Sequence, residues 1–136
     1  MSKRRDSRST PLDCPCGLPA RYLDCCGRLH RGEAQATTAE QLMRSRFSAF
    51  AVQDEEYLLA SWDPSTRPAE VDFDPGQRWD RLEILGSTGG GAFHIEGTVE
   101  FRAFYRTRGA AGELHENSRF RRGNGAWMYL DGVFVR

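Results

Sequence analysis

The sequence predicts an α+β fold carrying a small metal-dependent appendage, and three observations predict it. Between positions 37 and 62, apolar residues recur at three- and four-residue steps, the mark of helices with one buried face. From Trp79 onward the period becomes two, as in half-buried strands, with a Gly123-Asn124-Gly125 hairpin signal before the last of them. Helices first and a long antiparallel meander afterwards make an α+β class. The third observation is that all 4 cysteines fall between positions 14 and 26: Cys14-Pro15-Cys16, an eight-residue gap, then Cys25-Cys26.

The elements follow in chain order. Met1 to Thr10 is polar and arginine-rich, lacks the apolar core of a signal peptide, and reads as a disordered basic tail. Residues 11–31 have few apolar side chains beyond Leu12, Leu18, Tyr22, Leu23 and Leu29, so metal binding has to supply their folding free energy. Pro15 restrains the first loop and Gly17 permits a left-handed turn that aims backbone N–H groups at sulfur. Arg21 to Asp24 reads as one helical turn delivering Cys25 and Cys26.

A connector over 32–36 leads to Thr37-Thr38-Ala39-Glu40, which fits a capping box with threonine at the N-cap and glutamate at N3. Leu42, Met43, Phe47, Phe50 and Ala51 form the apolar stripe of the helix that follows, flanked by Arg44 and Arg46. A second helix is expected over 54–62, its acidic start suiting the positive helix end, with Tyr57, Leu58 and Trp62 inward. Asp63-Pro64 ends it, and three prolines keep 63–78 irregular. Strands are expected over 79–85, 92–105, 113–121 and 126–130, with a flexible turn at 86–91 and a tail over 133–135. One face of the second strand reads Val99, Phe101, Ala103, Tyr105, and one face of the third reads Leu114, Glu116, Ser118, Phe120.

Composition narrows the function classes. At 136 residues, 39% hydrophobic and 28% charged, the chain suits one soluble domain plus an appendage, and no apolar run reaches membrane-spanning length. A formal net charge of zero argues against strong non-specific nucleic-acid binding. Arg21, Arg28 and Arg31 make the cysteine segment locally basic, whereas 53–83 is acid-rich.

Four thiolates at hairpin distance are the complete tetrahedral ligand set of a structural zinc ion. Two disulfides are the competing reading, but they need an oxidising compartment, and a Cys25–Cys26 bridge would strain its ring. The expected ligands are Cys14, Cys16, Cys25 and Cys26; His30, four residues on, is the possible substitute for one of them. A filled thiolate shell leaves no open position for water or substrate, so zinc is expected to be structural and not catalytic.

Two resemblances cover the chain. Cys14-Pro15-Cys16-Gly17, Tyr22 and Cys25-Cys26-Gly27 resemble the SEC-C zinc motif, with Leu18-Pro19 where such segments usually show Ser-Gly and cysteine where SecA-type examples place a fourth-ligand histidine. Leu29-His30-Arg31-Gly32, the run from Thr38 to Phe50, and Ser65-Thr66-Arg67-Pro68 resemble the bacterial YchJ family. So do Gly97-Thr98-Val99-Glu100-Phe101, the run from Leu114 to Phe120 and the run from Trp127 to Gly132. The resemblance implies a SEC-C motif over 11–31 joined, over 32–136, to a nuclear transport factor 2-like domain, in which N-terminal helices pack on a curved antiparallel sheet around a cone-shaped pocket. Asp63 stands where relatives often place histidine, which removes a catalytic role for that position.

If the cone is open, its wall is expected to carry Arg44, Tyr105, Glu116 and Ser118, with Glu116 as base or anchor and Arg44 as counter-ion. The simpler alternative is a buried pair of Glu116 with Arg44 or Arg46 that fixes helix to sheet. No nucleophile triad, phosphate loop or dinucleotide motif can be assembled. The leading expectation is therefore a cytoplasmic, non-enzymatic zinc protein that docks a macromolecular partner through the SEC-C-like segment. The rivals are a small-molecule binder or enzyme using the cone, and a weak nucleic-acid binder.

Overall fold

The computed structural model describes residues 11–135; the basic tail expected over 1–10 lies outside them. The cysteine segment opens as a minute hairpin, with Tyr22 N donating to Leu12 O and Cys14 N to Ala20 O, both at 3.0 Å. Gly17 takes φ +93° at its turn, a conformation only glycine adopts without strain. A 3-10 turn, Tyr22–Asp24, appears where one helical turn is expected. It runs directly into a helix that the apolar spacing does not announce, α1 (Cys26–His30). Gly27 makes that junction possible, because a Cβ there would lie 2.6 Å from the Tyr22 carbonyl oxygen.

The long helix α2 spans Ala39–Val52. Its cap sits one residue later than the expected box: Thr38 is the N-cap and accepts from Gln41 N at 3.1 Å, while the Gln41 side chain accepts from Thr37 N at 2.7 Å. Glu40, released from that role, pairs with Arg44 at 3.1 Å. Leu42, Met43 and Phe47 are buried against the sheet, and Ser45, Ser48 and Ala49 are equally buried on the opposite side, beneath the cysteine segment. The helix is therefore covered on two faces, and a single apolar stripe describes only one of them.

The third helix, α3 (Glu55–Ala60), is N-capped by Asp54, which accepts from Tyr57 N at 3.0 Å. It stops short of the expected 54–62 because 61–63 pair alongside Tyr129: Tyr129 N donates to Ser61 O at 2.9 Å and Asp63 N to Tyr129 O at 2.8 Å. That pairing lays the Trp62 ring edge-on against Tyr129, 5.3 Å between centroids.

Four strands follow, β1 (Gln77–Gly89), β2 (Glu96–Thr107), β3 (Ala110–Gly123) and β4 (Ala126–Phe134), in the order β1-β2-β3-β4, each antiparallel to the next. β1, β3 and β4 exceed their expected lengths, whereas β2 is shorter than its expected span and shifted toward the C-terminus. Register shifts at Trp79/Arg81 and Ile84/Gly86 interrupt the alternation in β1, so the strand runs on through the segment that reads as a glycine turn. The turn lies beyond it, and β2 starts at Glu96, not at position 92. Asn124 (φ 53°) and Gly125 (φ 83°) both occupy the left-handed region, as a two-residue type I′ hairpin requires. A register shift at Arg119/Phe120 lets β4 continue through Asp131-Gly132 to Phe134.

The sheet is one-sided. Its inner face presents Val99, Phe101, Ala103, Phe120 and Trp127 to α2, all at most 3% exposed. Its outer face is polar, with Arg102 paired to Glu83 at 3.3 Å and the Arg81 guanidinium 3.8 Å over the Phe104 ring. No helix among the described residues is long and apolar enough to cross a membrane.

Candidate functional site

Two groups of side chains meet on α2 from opposite sides. The first is the cysteine cluster. The Sγ atoms of Cys14, Cys16, Cys25 and Cys26 all lie within 4.8 Å of one another, and those of Cys16 and Cys25 are 3.7 Å apart. A tetrahedron of thiolates at the usual zinc–sulfur bond length has edges of about 3.8 Å, so the four sulfurs already stand at ligand spacing. All four cysteines are unbridged, and the two-disulfide reading does not hold.

Without a cation the cluster cannot ionise fully. The Cys16 and Cys26 thiols donate to the Cys14 sulfur, which drives the Cys14 pKa far down and theirs up, that of Cys16 to about 12. Burial adds to the upward shifts. A divalent cation removes this conflict by compensating the thiolates together.

The large domain holds this cluster through α2. Ser48, fully buried, places its hydroxyl 3.6 Å from the Cys14 sulfur, where it donates to a thiolate. Arg44 Nη1 donates to the Cys16 carbonyl at 2.7 Å. Arg44 is thus a clamp on the cysteine loop and stands outside the cone wall on which it is expected. His30 is turned away from a ligand role: its Nε2 donates to the Ser45 carbonyl at 2.9 Å, so Nδ1 is the acceptor of the Tyr22 hydroxyl at 2.5 Å. It joins α1 to α2.

The second group lines a cavity of about 270 Å³ between α2 and the inner face of the sheet. Met43, Phe47, Phe50, Trp62, Trp79, Phe101 and Leu114 give it apolar walls, and Arg46, Glu116, Ser118 and Tyr129 are its polar groups. Tyr105 packs against Trp79 with ring centroids 5.2 Å apart and stays outside that lining. Of the four residues expected on the cone, Glu116 and Ser118 are brought together there, Ser118 Oγ donating to Glu116 Oε2 at 2.7 Å. The Tyr129 hydroxyl approaches the same oxygen at 3.4 Å, and burial with the nearby Glu116 charge pushes the Tyr129 pKa up to about 12.

Arg46 supplies the cavity's cation. It is 4% exposed, and its guanidinium packs in the corner formed by the rings of Trp62 (4.7 Å) and Tyr129 (4.5 Å). Its Nη1 donates to Leu58 O at 2.8 Å and Ser61 Oγ at 2.7 Å. Burial pulls its pKa down to about 10, against the raising influence of Tyr129, Tyr57 and Glu116. It forms no ion pair among the described residues, so the expected Arg–Glu116 lock is absent; both charges face one cavity separately. Position 46 lies on the same helical face as Leu42, Met43 and Phe50, at steps of four and three, and this spacing was the signal that it points inward. Trp62 reads as inward-facing in the sequence, but nothing there marks Tyr129 as its neighbour; the two meet through the 61–63 pairing.

Asp63 serves structure. It accepts from Arg121 Nε at 2.7 Å and Nη2 at 3.0 Å and from Ser65 N at 2.9 Å, and the Arg121 contact holds its carboxyl well below the ordinary range.

Comparison with known proteins accords with this architecture. Residues 38–132 match a family described as YchJ, middle NTF2-like domain. A UPF0225 protein of Streptomyces avermitilis is 58% identical over 98% of this chain and 99% of its own. One of Cupriavidus pinatubonensis is 44% identical over 99% and 97%. The solution structure of a SEC-C motif containing protein from Rhodopseudomonas palustris superposes with a TM-score of 0.77 at 36% identity, covering 90% of this chain and 98% of that one. The crystal structure of a SEC-C motif containing protein from Psychrobacter arcticus gives 0.72 at 27% identity, covering 90% and 82%.

Proposed function

The chain belongs to the YchJ family, with a SEC-C motif joined to an NTF2-like domain, and we propose that it binds a small organic molecule in the cavity beneath α2, a structural Zn²⁺ in the cysteine cluster bracing that helix. One observation carries the reading: a buried arginine without an ion-pair partner among the described residues faces an apolar cavity that also holds a carboxylate. Domain cores are close-packed, and a space of this size with convergent polar groups is spent on a ligand more readily than on stability. The zinc shell, all thiolate, takes no part in chemistry. Four unbridged cysteines suit a reducing compartment and so support a cytoplasmic location.

The test is a fragment screen by amide NMR on the zinc-loaded full chain, with metal analysis giving one zinc per chain. Binders should shift Met43, Phe101, Leu114 and the Trp62 and Trp79 indoles together. Fragments that bind without moving those signals, or a cavity that takes none, would remove the pocket reading.

The partner-docking reading has one observation in its favour: Leu12, Leu18 and Leu23 are 68%, 43% and 52% exposed on the cysteine segment. Its basic flank is weaker than the sequence suggests, since Arg31 is paired with Glu33 and Arg28 with the Asp24 carbonyl. Replacing Leu18 and Leu23 by aspartate, with zinc content unchanged, should abolish a genuine protein partner. Retention of that partner would sink this reading.

A further inference from the structure

Resting on the pocket reading, we propose that the cavity's ligand is a small carboxylic acid with an aromatic or branched apolar body: its carboxylate lies on the free edge of Arg46, and a hydroxyl or amine at its other end donates to Glu116. The placement follows from how Arg46 is used. A guanidinium has five N–H donors. Nη1 spends its pair on Leu58 O and Ser61 Oγ. Trp62 and Tyr129 pack their rings against the guanidinium from adjoining sides. Among the described residues no hydrogen bond is made from Nε or Nη2. These two nitrogens form the edge on which a carboxylate docks with two parallel hydrogen bonds.

The protein's own carboxylate does not fill that edge. Glu116 is drawn aside by Ser118 and Tyr129, so it remains an acceptor on the cavity wall. A buried cation without its anion is costly, and an incoming carboxylate completes the pair inside a water-poor space where the contact is strong. The charge count selects the anion. One guanidinium facing one carboxylate tolerates a monoanion whose far end is a donor, whereas a phosphate dianion would add repulsion from Glu116. Phe47, Trp79, Phe101 and Leu114 require an apolar body between the two ends.

The experiment titrates the zinc-loaded full chain with phenylacetate, 4-hydroxyphenylacetate and phenylacetamide, read by amide and indole NMR shifts. The acids should bind the cavity at least about ten-fold tighter than the amide, because the amide forfeits the charged two-point contact. The hydroxyl should add a further gain, and Glu116→Gln should reduce the advantage of 4-hydroxyphenylacetate over phenylacetate. Arg46→Met should abolish the acid preference. If that variant does not fold, the acid–amide comparison on the wild type decides alone. Equal binding of acid and amide at cavity residues overturns the carboxylate assignment and leaves the pocket standing. No cavity shifts with any of the three overturns both.

Discussion

Metal removal tests the link between the two halves of α2, and its size can be worked from three contacts. Folding of the cysteine segment presents the Cys16 carbonyl to Arg44 at 2.7 Å, the Cys14 sulfur to Ser48 at 3.6 Å and His30 to the Ser45 carbonyl at 2.9 Å. A hydrogen bond from a charged donor contributes roughly 2 kcal/mol and each of the others about 1, so α2 stands to lose about 4 kcal/mol of support when the segment unfolds. With an unfolding entropy near 2.1 cal/mol/K per residue, a domain of about 100 residues loses roughly 15–20 °C of melting temperature. The four-stranded sheet has its own core and stays folded below the lower transition. The assay is calorimetry and far-UV circular dichroism of zinc-loaded protein against chelated protein with metal release verified. A melting temperature unchanged within a few degrees would refute the coupling, since it would mean that α2 keeps its place without the segment behind it.

Other perturbations have equally definite outcomes. Asp63 has a folded-state pKa below its ordinary 3.8, so its contribution is present above that value and fades as pH falls through it into strong acid; Asp63→Asn should lower stability at neutral pH and flatten the acid limb of a urea-denaturation series, and an unchanged limb would contradict the pairing with Arg121. Gly97→Ala puts a Cβ 2.5 Å from the Gly90 backbone, so the β1–β2 turn must shift, at a cost of roughly 1–3 kcal/mol read as a lower denaturation midpoint. Phe120→Ala opens the core beside Tyr129, whose ring centroid lies 5.8 Å away, and should cost about 3–5 kcal/mol by the same measurement. It should also weaken fragment binding, because Tyr129 then loses the neighbour that fixes it on the cavity wall.

Much of this was legible in one dimension. The change from a three-to-four step to a two step located the helices and the meander, because periodicity follows directly from backbone geometry. Val99, Phe101 and Ala103 read as a buried face and are one. The strand ends were hidden, since the bulges in β1 and β4 break the alternation without ending the hydrogen-bonded ladder. The cap of α2 was misplaced by one residue because Thr37 and Thr38 carry the same side chain, and only the chain's direction into the helix selects between them.

The sequence by itself determined the cysteine cluster that could hold a metal ion. Cys14, Cys16, Cys25 and Cys26 are close along the chain, so short-range turns bring their sulfurs together. Tertiary structure alone decided the roles of the arginines. Arg44 and Arg46 are two residues apart on one helix, which turns them to different sides: one to the cysteine loop, the other to the cavity. Which side carries which partner depends on where the sheet and the SEC-C segment pack, and that packing is set by contacts between residues far apart in sequence.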